Sequence, residues 1–206
     1  LLEHDPSAVR SRRSAVVFFD RLMTQEAKAR SKPVWVEKTP AHVFHIRWIR
    51  HYIPAAQFVH VIRDGRDAVA SLVDAARQFP QAAAWNKYAD LETAIAEYNR
   101  SLQTSLGYLR EAKHLFVQYE HILDDSAKVC RRLYSLLGLV DEDLLSDLSV
   151  IHRDVVRSDE IWKGAPDGMI QDTRFAKFDQ IFDELQKELI TREVRSPSPE
   201  QRAQFV

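Results

Sequence analysis

Apolar positions along the chain switch between two periods. Val9, Val16, Val17, Leu22 and Met23 recur at helical spacing and predict a helix over 7–31. Val34-Trp-Val then forms a short β-branched and aromatic run, predicting a strand over 34–37. Val43, Phe44, Ile46, Trp48 and Ile49 restore helical spacing over 41–52. A second β-branched and aromatic run over 57–62 follows Pro54-Ala-Ala, and Ala68, Val69, Leu72 and Val73 predict a helix over 65–77. Beyond a Pro/Ala-containing connection the pattern predicts a long helix over 90–112, a strand over 115–119 and helices over 126–137 and 141–149. A mixed segment over 150–176 and a helix over 177–190 complete it. Residues 195–206, which include Ser196-Pro-Ser-Pro199, read as a loose tail. Two strand–helix units in succession argue for parallel strands with right-handed crossovers, an α/β fold. With no repeats and no clear linker, residues 1–206 read as a single domain.

Both strand–helix junctions carry a cation. Arg63 leaves the second strand where a helix begins, with Asp64 as its N-cap and Asp67 completing a D-x-x-D variant of the capping box. The first turn of such a helix has unpaired N–H groups and the positive end of the dipole, so it attracts phosphate. Arg63 adds a bidentate guanidinium and Ser71 a hydroxyl, each charge-assisted bond being worth roughly 1.5–3 kcal/mol. An equally weighted alternative is an Arg63–Asp67 or Arg66–Asp64 ion pair on an ordinary capped helix. Lys38 ends the first strand, with Thr39 placed as N-cap and Pro40 at the first helical position. Ligands of parallel sheets collect at the carboxyl ends of strands, so Lys38 and Arg63 are expected on one edge, a setting that suits a dianion.

Composition narrows the class. The chain has 206 residues, ordinary for one domain, with 45% hydrophobic and 29% charged positions. Its net charge of −1 lacks the broadly basic footprint of a nucleic-acid binder. One cysteine, Cys130, excludes a disulfide framework or zinc site within the chain, and the eight histidines are dispersed, so no metal is expected. No signal peptide and no apolar run of about 18–20 residues is present, which favours the cytoplasm. A membrane-anchored or lumenal setting is expected instead if upstream residues carry a signal. His45-Ile-Arg47-Trp-Ile-Arg50-His51 reads as an amphipathic helix with its arginines in water rather than an anion surface. Phe79 to Tyr88 reads as a loop with Trp85 packed on the domain, ahead of a share in an acceptor pocket.

Lys38-Thr39-Pro40, then Arg63-Asp-Gly-Arg66-Asp67 and Ser71, resemble the sulfotransferases that use 3′-phosphoadenosine 5′-phosphosulfate (PAPS). The match looks closest to the branch containing bacterial, heparan and tyrosylprotein enzymes. It continues through Phe116-Val-Gln-Tyr119-Glu120 and the helix from Asp125 to Gly138-Leu139, spanning residues 30–140 well and the remainder loosely. The resemblance implies a P-loop-NTPase-like three-layer fold, a central parallel sheet flanked by helices. It implies that Arg63 and Ser71 hold the 3′-phosphate, that Tyr119 lies near the nucleotide and that Lys38 neutralises the transferring group. Lys163 and Gly164, in Trp162-Lys-Gly, resemble the basic segment that closes over the nucleotide. The implied reaction is an in-line displacement by a small-molecule, carbohydrate or peptide acceptor, driven by positioning and cations.

The chain departs from that pattern twice. Cytosolic small-molecule sulfotransferases place a histidine two residues after the lysine, where this chain has Pro40; His42 reads as a packing or surface histidine. Glu37 points away from Lys38 by strand alternation, and nothing around Glu3 or Glu26, the upstream acids, supports a base. The family also opens with a strand, a Gly/Ser/Thr-rich basic turn and a helix. Here none of the five glycines lies in the first 64 residues, and Ser11-Arg-Arg-Ser14 reads as a solvated helix face. The chain is therefore expected to belong to a longer protein whose first strand–loop–helix lies upstream. The rival expectations are a domain fragment, a non-catalytic nucleotide-binding relative or interaction module, and a P-loop kinase, against which the lack of a clear Asp pair for Mg²⁺ counts.

Overall fold

The computed structural model describes residues 11–139, 172 and 174–206. They fall into two compact units divided between Gln57 and Phe58. The first unit begins with α1 (Arg12–Ala29), started by a reciprocal capping box between Ser11 and Ser14. Those serines, expected on a solvated face, thus set where the helix begins.

The strand expected over 34–37 is not formed. Pro33 and Pro40 flank an extended run that pairs with no neighbour among the described residues, leaving Val34 46% and Val36 82% exposed. A strand is stabilised by its ladder and by cross-strand side chains, and alternation alone supplies neither. Trp35 still anchors the run by an edge contact with Phe19 at 5.6 Å. The helix expected over 41–52 is split into a 3-10 turn (Pro40–His45) and α2 (Ile46–Tyr52). Pro40 takes the first helical position as expected, but the Thr39 side chain caps nothing. Ile46 is buried and Arg47 and Arg50 are exposed, as the amphipathic reading requires.

The second unit holds a small parallel sheet, β1 (Phe58–Ile62) beside β2 (His114–Gln118), in register from Phe58 opposite His114 to Ile62 opposite Gln118. Between them run α3 (Gly65–Gln78), a 3-10 turn (Asn86–Ala89) and α4 (Leu91–Leu106). After β2 come α5 (Tyr119–Asp124) and α6 (Ser126–Leu137), the latter ended by Gly138 at φ 69°. Only glycine adopts that left-handed cap without strain. Further along lie α7 (Ala176–Ile181), α8 (Glu184–Glu193) and α9 (Pro199–Arg202). The fold is α/β, mostly helical around a small parallel sheet. The helices expected over 90–112 and 177–190 end early or break. Gly107 caps α4, and Asp183 opens a new capping box with Gln186.

The main core joins Val69, Ala70, Val73 and Ala76 of α3 to Ala94 and Ile95 of α4, and to Phe178, Phe182 and Ile190. Trp85 packs against it, so Phe79–Tyr88 is a packed loop. A second cluster places Ile62, Leu102 and Phe116 against Tyr98 and Phe205. Here the tail expectation fails. Ser198 caps α9, Phe205 stacks on Phe116 at 5.6 Å, and the Val206 N–H donates to the Phe116 carbonyl at 2.7 Å. The aromatic residue beyond the Ser-Pro-Ser-Pro run supplies the apolar surface that its polar composition obscured. The expected helix over 141–149, most of 150–176, and Lys163 and Gly164 lie outside the described residues. No helix among the described residues is long and apolar enough to cross a membrane.

Candidate functional site

The chain turns sharply from β1 into α3, and its neighbours hold that turn. Asp64 is the N-cap, its Oδ1 accepting the Arg66 N–H at 2.9 Å. The Asp64 N–H donates to Glu120 Oε1 at 2.8 Å, which ties the turn to the end of β2. The expected D-x-x-D box does not close, because Glu120 takes the N–H that Asp67 was expected to bind. The Tyr98 hydroxyl donates to the Arg63 carbonyl at 3.0 Å. Burial, with Asp64 and Glu120 nearby, pushes that phenol above its ordinary pKa and keeps it a donor. A Cβ on Gly65 would lie 2.1 Å from Val194 Cγ1 and 2.6 Å from Tyr98 Cε1. Gly65→Ala is therefore expected to cost about 1–3 kcal/mol in overpacking, measured by urea denaturation, and to displace Tyr98 from Arg63.

Arg63 is the centre of the cluster. Its Nη1 donates to Ser71 Oγ at 3.0 Å, its Nη2 lies 3.6 Å from Asp67 Oδ2, and its guanidinium sits 4.9 Å from the Tyr119 ring centroid. Ser71 lies eight positions after Arg63, in the second turn of α3, so both reach one side of the helix start. Arg66 pairs with Asp64 at 3.0 Å. Both ion pairs of the alternative sequence reading thus form, and Arg63 contacts Ser71 and Tyr119 as well. Asp67 is buried, accepts the Phe175 N–H at 2.9 Å, and has its carboxyl pushed up by burial despite Arg63. Burial would also raise Asp64, but hydrogen bonds from the Arg66 side chain and backbone outweigh it and hold the carboxyl low.

Two details decide what this cluster can bind. The 3.6 Å from Arg63 Nη2 to Asp67 Oδ2 is too long for a hydrogen bond, and both Asp67 Oδ2 and Arg63 Nε are buried without one among the described residues. Ser71 Oγ accepts from Arg63, which leaves its own O–H to donate. Since Asp64 occupies the helix start, the donors offered to an anion are side chains rather than the turn N–H groups first expected.

Lys38 belongs to the first unit, in the exposed extended run before Pro40. The strand expected to deliver it to a sheet edge is absent there. Beside it, Glu37 accepts from the Thr39 hydroxyl at 2.5 Å and lies 2.6 Å from His42 Nδ1.

A family model described as the sulfotransferase family matches residues 4–143, more than half the chain. The chain belongs to the sulfotransferase family. Comparison with curated proteins and with solved structures gives no match.

As a sulfotransferase it draws these contacts from two of the three blocks that carried the resemblance. Arg63, Ser71 and Tyr119 come together in the second unit, although Tyr119 opens α5 rather than ending the strand. Sequence reasoning missed Tyr98, Glu120 and Phe175. Glu120 was visible in the Tyr-Glu pair, but its bond to Asp64 spans 56 positions and leaves no local trace. Phe175, over which Arg66 stacks at 4.5 Å, reaches the site through a left-handed backbone, φ 59°, that its residue type does not announce. No group of three or more metal-ligating side chains occurs among the described residues.

Proposed function

We propose that this sulfotransferase takes PAPS as donor and moves its sulfuryl group to a hydroxyl or amine acceptor, releasing adenosine 3′,5′-bisphosphate. The observation that carries the reading is Arg63, a quarter-exposed guanidinium held by Ser71 and backed by Asp67 and Tyr119. Arg63 and Ser71 hold the 3′-phosphate through charge-assisted bonds, and Tyr119 flanks the nucleotide. In this reading Lys38 neutralises charge on the transferring group, and Lys163 and Gly164 contribute to donor binding. Acceptor classes compatible with this donor chemistry are small molecules, carbohydrates and peptides, because a donor site does not set the acceptor.

The test is transfer of ³⁵S from labelled PAPS to an acceptor panel, run without metal, alongside ATP with Mg²⁺ as a competing donor. Labelled product from PAPS and none from ATP is expected. Phosphoryl transfer from ATP supports the kinase reading instead, and failure to bind adenosine 3′,5′-bisphosphate contradicts the donor site.

A further inference from the structure

Asp67 stands in the first turn of α3 and is 1% exposed, and donor binding as described above gives it no task. Its Oδ1 accepts the Phe175 N–H at 2.9 Å, while its Oδ2 lies 3.6 Å from Arg63 Nη2 and makes no hydrogen bond among the described residues. A neutral asparagine would serve Phe175 as well and bury no charge. A buried carboxylate is costly unless a cation compensates it. Arg66 does not fill that place, because its guanidinium pairs with Asp64 and stacks on the Phe175 ring at 4.5 Å. The carboxylate therefore answers to Arg63. At 3.6 Å it attracts the guanidinium by charge and takes up none of its N–H groups. Its own place is set by a segment beyond the family match, which ends at residue 143. Phe175 presents its N–H from a left-handed backbone at the start of α7. On either side of it, Arg174 pairs with Asp124 of α5 at 2.9 Å and Lys177 pairs with Asp74 of α3.

We propose that Asp67, fixed by the Phe175 N–H, is a positioning residue of the donor site: it holds the Arg63 fork by charge and leaves the fork's N–H groups to the 3′-phosphate. This rests on the PAPS reading above. In Asp67→Asn the amide oxygen keeps the Phe175 N–H, so the amide nitrogen faces Arg63 Nη2, donor against donor, and the fork turns away. The sign of the effect separates this role from a bare charge. A carboxylate that acted only as a nearby negative charge would repel phosphate, and its removal would tighten binding. A carboxylate that positions Arg63 weakens binding when it is removed.

The test is calorimetric titration of the full chain with adenosine 3′,5′-bisphosphate and with adenosine 5′-phosphate. Asp67→Asn is expected to bind the bisphosphate about tenfold more weakly and the monophosphate as the native chain does, so the preference between them falls. General loosening of the fold would weaken both ligands alike. In the Arg63→Ala background the same substitution is expected to lower the preference no further, because Asp67 acts through Arg63. A second variant, Arg174→Gln with Lys177→Gln, keeps the buried carboxylate and frees the segment that fixes it. Its preference is expected to fall about two- to threefold, in the range two surface ion pairs supply. Unchanged or tighter bisphosphate affinity in folded Asp67→Asn overturns the assignment and leaves the donor reading standing. A native preference in the second variant does the same if Asp67→Asn does not fold. A native chain with no preference for the bisphosphate overturns both.

Discussion

An Arg63→Ala variant is expected to bind adenosine 3′,5′-bisphosphate about 10²–10⁴-fold more weakly than the native chain. Two charge-assisted bonds at roughly 1.5–3 kcal/mol each are lost, and each 1.4 kcal/mol is tenfold in affinity. The loss is not one of charge alone. Arg63 offers a planar fork whose Nη1 is fixed on Ser71, whose Nη2 faces Asp67 and whose plane lies by Tyr119. Lysine keeps the charge but not the fork, so Arg63→Lys is expected to lie between the two. Ser71→Ala removes one donor and the Arg63 anchor together, with an expected loss of about tenfold. Removing Arg63 also leaves Asp67 buried beside no guanidinium, so circular dichroism and urea unfolding must accompany the titration. Unchanged affinity in a folded Arg63→Ala protein rules out this site.

The largest expected effect on stability comes from a buried histidine pair within the sheet. His60 on β1 and His114 on β2 are 7% exposed each, with Nε2 of the first 2.9 Å from Nδ1 of the second. His60 also stacks on Phe116 at 4.4 Å. Burial, and then the proximity of His114, bring the His60 pKa down to about 4. The neutral ring is therefore favoured in the folded chain. As pH falls below about 6.5 the unfolded chain takes up a proton that the folded chain refuses, and stability is lost until the folded chain also protonates near 4. The native chain is expected to lose about 3 kcal/mol across that window through this group. The check is the urea midpoint against pH for the native chain and for His60→Leu. The difference between the two curves should carry the slope between pH 6.5 and 4, and parallel curves would show that His60 does not titrate as described.

Elements with a self-contained signal were legible in the sequence. The β-branched run over 57–62 and the capped helix after it fall within a residue of β1 and α3, and the helix over 126–137 matches α6. Local periodicity and capping chemistry decide such elements. The strand over 34–37 had the right residues, but its formation depended on a partner that local sequence does not specify. The breaks at Gly107 and Asp183 were written in cap residues that the apolar period overrode. At the site, Arg63 and Ser71 were readable from their spacing across a helix start, whereas Tyr119 came only from the family resemblance. Glu120 and Phe175 reach the same turn across long sequence separations, which no local pattern encodes. The Glu37–His42 pair was missed because 41–52 was read as one helix, whereas a 3-10 turn over Pro40–His45 sets His42 beside Glu37.

The central claim is that Arg63 and Ser71 recognise a 3′-phosphate, and a ligand-side cycle tests it most directly. Calorimetric affinities for adenosine 3′,5′-bisphosphate and adenosine 5′-phosphate are measured on the native chain and on Arg63→Ala. The account predicts that the native chain prefers the bisphosphate by about 10²-fold or more, and that the preference collapses in the variant. An equal preference in both proteins would place the 3′-phosphate somewhere other than Arg63 and contradict the account.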